Sequence, residues 1–128
     1  MNLIFRRCKK CGNIVWSFND TDITCCGDAM EEIKPNSVDA SFEKHIPVYE
    51  INNDKININV PHVMEEKHYI KWILMVNDNE IQYKEFKYTD LPKVTFNYKE
   101  NSIIYSYCNL HSLWMNNVSN DKTDHMSW

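Results

Sequence analysis

Lys55-Ile56-Asn57-Ile58-Asn59-Val60 alternates polar and apolar residues without a break, the period of a strand with one buried face. His68 to Val76 is a longer run of β-forming residues, ended by the turn-forming Asn77-Asp78-Asn79. His45 to Ile51, Ile81 to Tyr88, Lys93 to Tyr98 and Ser102 to Tyr107 are further strand-like runs with polar turns between them. No stretch has a convincing helical period. The pattern predicts about six or seven strands in residues 37–115 and hence an all-β, sandwich-like unit. Ahead of it, Ile14-Val15-Trp16 and Ile23-Thr24 predict short strands around the polar turn Asn19-Asp20-Thr21-Asp22. Lys34-Pro35-Asn36-Ser37 interrupts any regular element and predicts a linker, which makes residues 1–36 a first unit. Residues 116–128 are rich in Asn, Asp and Ser and predict a flexible, frayed tail.

Composition narrows the class. At 128 residues and 43% hydrophobic, the chain can bury one ordinary core beside one small module, and it is globular rather than disordered. No apolar run approaches the ~18–20 residues that cross a bilayer. The net charge of −4 lies in residues 37–128, and there is no basic stripe of the kind nucleic acid requires. The opening residues lack a cleavage-like site, so the expectation is a cytoplasmic protein whose five cysteines are metal ligands rather than disulfides. The tryptophans, Trp72 and Trp114 among them, are expected to fill the core.

Two clusters of possible ligands change the picture. Cys8-Lys9-Lys10-Cys11 is a Cys-x-x-Cys knuckle with Gly12 free to take a left-handed turn behind it, and Cys25-Cys26 is an adjacent pair followed by Gly27. Four thiolates make a tetrahedral S4 site, and a unit of this length needs a metal as its staple. A structural zinc ribbon and a redox dithiol are the other readings, although a dithiol accounts for only two of the four cysteines. Downstream, Cys108-Asn109-Leu110-His111 joins His45, His62 and His68, so four of the five histidines and the last cysteine lie at the edges of strand-like runs. Singly, each has a structural reading, as a turn or strand residue. Together, one thiolate and four imidazoles suit iron, copper or zinc better than magnesium or calcium. Five donors exceed the three or four of a zinc site and leave one position of an octahedral ion open, which points to iron. His125 lies in the predicted tail and is not expected to be a ligand. Outside such a setting, Glu43-Lys44 would be a solvated charged pair.

The segments Asp39 to Val48, His62 to Ile73 and Cys108 to His111 resemble the metal-binding motifs of desulfoferrodoxin, the two-iron form of superoxide reductase, and the likeness spans roughly residues 5–115. The resemblance implies a desulforedoxin-like domain with iron held by Cys8, Cys11, Cys25 and Cys26, followed by an immunoglobulin-like β-sandwich. It implies a second iron with His45, His62, His68 and His111 in a plane, Cys108 axial and the sixth position open to superoxide, which leaves as hydrogen peroxide. Lys44 would then steer the anion and orient a proton-donating water, and Glu43 would cap the empty ferric site. A rubredoxin-like electron donor and a homodimer are implied as well. The chain departs from the family pattern in a shorter loop between its cysteine pairs, in Asp28-Ala29, and in Val63, Ser112 and Met115 where Pro, Gly and Lys are usual; no departure removes a ligand. The other functional readings are a non-catalytic two-centre iron electron-transfer protein, with Glu43 closing the second iron, and a zinc-stapled binding module.

Overall fold

A computed structural model describes residues 2–119. The chain divides into two compact units, residues 1–34 and 35–128.

In the first unit, β1 (Ile4–Arg7) lies between β2 (Ile14–Ser17) and β5 (Glu31–Ile33), antiparallel to both. The hairpin of β3 (Thr24–Cys25) and β4 (Asp28–Ala29) projects the adjacent cysteines. Leu3, Phe5, Met30 and Ile33 are its buried apolar side chains apart from Cys8. Arg6 is buried as well, and its guanidinium donates to Asp20 at 2.7 Å and to Ser17 Oγ at 3.1 Å.

The second unit carries α1 (Phe42–His45) and seven strands: β6 (Val48–Asn52), β7 (Lys55–Asn59), β8 (Ile70–Val76), β9 (Ile81–Glu85), β10 (Lys93–Asn97), β11 (Ile103–Cys108) and β12 (Ser112–Asn117). They form two antiparallel sheets, ordered β10-β7-β6 and β12-β11-β8-β9. This is the expected immunoglobulin-like sandwich. Its core joins Tyr49, Ile56, Ile58 and Phe96 from one sheet to Ile73, Met75, Ile104 and Cys108 from the other. β7 alternates exposed and buried residues, as its sequence predicts. β8 and β11 are buried almost throughout, so their apolar runs show no alternation.

Three expectations change. The units divide after Lys34, not after Asn36, because Asn36 belongs to the sandwich. Its side chain accepts from Met115 N–H at 2.8 Å and donates to Met115 O at 3.2 Å, while its own N–H donates to Leu113 O at 3.0 Å. His45 closes a single helical turn instead of opening a strand. Pro47 forces Ile46 into extended backbone (φ −71°, ψ 126°), which ends the turn at once. Residues 116–119 are not frayed. Asn116 and Asn117 pair with Ile104 and Ile103, Val118 N–H donates to Ser102 O at 2.9 Å, and Ser119 N–H donates to the Tyr49 hydroxyl at 2.9 Å. The rest of the predicted tail, with His125, lies outside the described residues. Among those described, no helix is long and apolar enough to cross a membrane.

Candidate metal centres

Cys8, Cys11, Cys25 and Cys26 bring their sulfurs within 4.8 Å of one another. The knuckle after β1 is closed by Gly12 N–H donating to Cys8 O at 2.9 Å, and Gly12 takes the left-handed conformation (φ +78°) that this turn needs. Cys25 is the last residue of β3, and Cys26-Gly27 is the two-residue loop of the hairpin. Both loop residues have positive φ, 54° and 80°, as a type I′ turn demands. Adjacent cysteines thus occupy different structural positions, one on a strand and one in a turn, and both can face the knuckle. Lys10 ties the two pairs together, reaching Cys26 O at 3.3 Å and Asp28 at 3.2 Å.

Around a tetrahedral metal with sulfur bonds of about 2.3 Å, neighbouring sulfurs stand about 3.8 Å apart. Cys11 Sγ lies 3.7 Å from Cys25 Sγ, and Cys25 Sγ 3.9 Å from Cys26 Sγ. The electrostatics also fit a cation. The Cys11 backbone N–H helps to lower the Cys8 thiol to about 6, whereas hydrogen bonding to Cys11 and Cys8 pushes Cys25 up to about 12 and raises Cys26. One thiol ionises readily; four crowded thiolates require a positive ion among them.

The second cluster is built from three segments. α1 supplies His45. The turn between β7 and β8 supplies His62 and His68, and paired backbone bonds between Glu65 and His68 (3.0 and 3.1 Å) fold it back so that the two rings meet. The end of β11 and the turn after it supply Cys108 and His111. His45, His68, Cys108 and His111 hold their donor atoms within 4.8 Å of one another, and His62 Nε2 reaches both His68 Nε2 (3.1 Å) and Cys108 Sγ (3.4 Å).

The imidazoles stand at the corners of a near-square. The centroid distances 45–62, 62–68, 68–111 and 111–45 are 4.8, 4.5, 5.1 and 4.8 Å, and the 45–68 diagonal is 6.4 Å. Cys108 Sγ touches two opposite corners, His62 Nε2 at 3.4 Å and His111 Nδ1 at 3.8 Å, and lies within 4.8 Å of the donor nitrogens of His45 and His68. His45 Nε2 is 3.1 Å from His111 Nδ1, matching the 62–68 side. Adjacent nitrogens around a metal with bonds of about 2.1 Å would stand about 3.0 Å apart. The backbone aims two of these rings: His45 Nδ1 bonds Ser41 O at 2.7 Å, and His62 Nδ1 bonds Val63 O.

Burial pushes His62 down to about 4 and lowers His45 and His68, so these imidazoles are neutral, the form in which nitrogen binds metal. Burial raises the Cys108 thiol, against the pull of the His111 N–H at 3.3 Å from its sulfur. A cation in the square would supply the charge that a thiolate there lacks. Glu43 and Lys44 are exposed on α1, and among the described residues no carboxylate joins the five donors. Lys44 adds positive potential at His45.

Asn109 and Trp114 hold these segments together. Asn109 accepts from Tyr69 N–H at 2.9 Å, donates to Lys67 O at 3.0 Å, and bonds Tyr69 O through its own N–H at 3.2 Å, so it clips the His68 segment to the Cys108 turn. Trp114, expected only as core, stacks on His45 and donates its indole N–H to His111 O. The Asn of Cys-Asn-Leu-His was the visible signal for the first; nothing in sequence spacing marks the second.

The family model for desulfoferrodoxin matches residues 37–117. The desulfoferrodoxin of Nitratidesulfovibrio vulgaris is 41% identical over 115 residues, covering 84% of this chain and 90% of its own. That of Syntrophotalea carbinolica is 38% identical over 114 residues, covering 84% and 90%. Among solved structures, the superoxide reductase from Treponema pallidum aligns with a TM-score of 0.74 at 27% identity, over 91% of this chain and 99% of that one. The superoxide reductase from Giardia intestinalis shares the fold, with a TM-score of 0.54 at 23% identity over 60% of this chain and 98% of its own.

Proposed function

The chain belongs to the desulfoferrodoxin family, and from that premise we propose that it is a superoxide reductase with two iron sites. The observation that carries this reading is the second cluster: four imidazoles in a near-square, one sulfur against two of its opposite corners, and, among the described residues, no carboxylate with the donors. Zinc does not use five such donors, whereas iron does and keeps a sixth position for a small ligand. Cys8, Cys11, Cys25 and Cys26 hold the first iron, and His45, His62, His68, Cys108 and His111 the second.

Superoxide takes one electron and two protons to become hydrogen peroxide. Ferrous iron held by His45, His62, His68, Cys108 and His111 would supply that electron. The chain does the rest. One thiolate and four neutral imidazoles leave a ferrous site with a net charge of +1, and Lys44 adds to it, so an anion is drawn in although the molecule as a whole is acidic. Cys108 would hold the iron through its sulfur and lend it electron density. Lys44 steers the anion and orients a water that gives up a proton, and Glu43 covers the open position between turnovers. A rubredoxin-like protein returns the electron, the cysteine centre relays or stores it, and the chain works as a cytoplasmic homodimer against oxidative stress.

Metal analysis and visible spectra of protein purified without oxygen test the reading. Two irons per chain, with a thiolate band that appears at the second site only on oxidation, are expected; zinc alone and no colour would end it. Pulse radiolysis then tests the roles. Lys44→Ala should slow the reaction with superoxide at low salt and flatten its salt dependence, and an unchanged rate would remove Lys44 from the steering role.

A further inference from the structure

We propose that Trp114 is a positioning residue for the second centre, fixing the ring plane of His45 and the carbonyl end of His111. The inference rests on the reading that this cluster holds iron. Trp114 has no solvent exposure. Its indole stacks on the His45 imidazole, with centroids 4.8 Å apart and planes 24° from parallel. Its Nε1–H donates to His111 O at 2.9 Å. Phe42 closes the other approach with an edge contact at 5.3 Å. One side chain therefore grips both residues of one edge of the square, the edge on which His45 Nε2 and His111 Nδ1 are 3.1 Å apart.

The other restraints on His45 leave this role open. The Ser41 carbonyl holds Nδ1, and Ser106 Oγ donates to the His45 carbonyl at 3.3 Å. The first is a single pivot and the second holds only backbone, so neither stops the ring from turning about the Nδ1 bond. A flat indole against its face does. For His111 the ligand atom is Nδ1, the nitrogen nearer the backbone, so its direction follows the turn closely. The indole bond to the carbonyl fixes that turn. A metal-bound imidazole is electron-poor and stacks more favourably on indole, so metal binding and the stack reinforce each other.

The test uses the full chain with Trp114→Leu, which removes both contacts, and Trp114→Phe, which keeps an aromatic face without the N–H. Ferrous iron affinity at the second centre is measured by chelator competition, the thiolate band is recorded after oxidation, and the unfolding temperature is taken without metal. Leu is expected to weaken iron binding about tenfold or more, with a displaced band, and Phe should fall between Leu and the unmodified chain. Lower unfolding temperatures with unchanged affinity and band would reduce Trp114 to core filling and overturn the proposal. Should neither variant fold, NMR of the unmodified zinc-loaded chain decides: His45 ring protons shifted upfield by the indole support the stack, and unshifted protons overturn it. None of these readouts uses superoxide. A chain inert to superoxide that still loses iron affinity in Trp114→Leu would end the reductase reading and sustain this one.

Discussion

Ser112 carries a side chain at φ 67°, in the left-handed region that favours glycine. It opens β12 directly after His111, so the sequence departure from glycine falls where the turn is most constrained. Ser112→Gly is expected to stabilise the chain by about 1 kcal/mol, read as a higher urea midpoint, with the band of the second centre unchanged. His62 sets a pH limit. Burial holds its imidazole at about 4, below the ordinary value of about 6.5, so the folded state refuses a proton that the unfolded chain accepts. Its contribution to stability is full above about pH 6.5 and is lost as the pH falls towards about 4. Urea titrations of metal-free protein across that range should show a falling midpoint, with a shallower fall in His62→Ala. The residues that cluster were legible at this scale, because thiols and imidazoles announce their chemistry in any setting. Trp114 was not, since an indole is core in most places and only its neighbours make it otherwise.

Elements matter here for what they join. The 108–114 turn reaches one way through Asn109 to the His68 segment and the other way through Trp114 to α1. Asn109→Ala removes two side-chain bonds across that join. It is expected to weaken iron binding at the second centre about tenfold, as changes to outer-shell partners do, while metal-free unfolding moves only a few degrees; calorimetry and chelator competition separate the two. The strands were readable where one face is wet, as in β7, and where apolar runs are long, as in β8 and β11. α1 was not, because one turn held between Ser41 and Pro47 has no period to detect. β12 was missed altogether, since its opening residues lie against the Cys108–His111 motif and its asparagines look like loop residues. In the fold, Asn116 donates to Pro47 O at 3.0 Å and Asn117 pairs with Ile103, so composition misled where pairing decides.

At the scale of the whole molecule, the two units draw their stability from different sources. The sandwich has an apolar core joining its two sheets, whereas the first unit has few buried apolar side chains and four clustered sulfurs. Stripping metal with a chelator under reducing conditions should therefore unfold residues 1–34 and leave the sandwich, seen as loss of amide protection confined to the first unit. Air changes that outcome. Sulfurs of Cys11 and Cys25 already stand 3.7 Å apart, and a disulfide closes to about 2.05 Å. Oxidation of the emptied unit consumes two of the four donors at one stroke, so added iron finds half a site. Protein once stripped in air must be treated with a thiol reductant before it will take metal back. A count of reactive thiols, two lower than in freshly reduced protein, would tell whether a colourless sample has lost its iron or has locked it out.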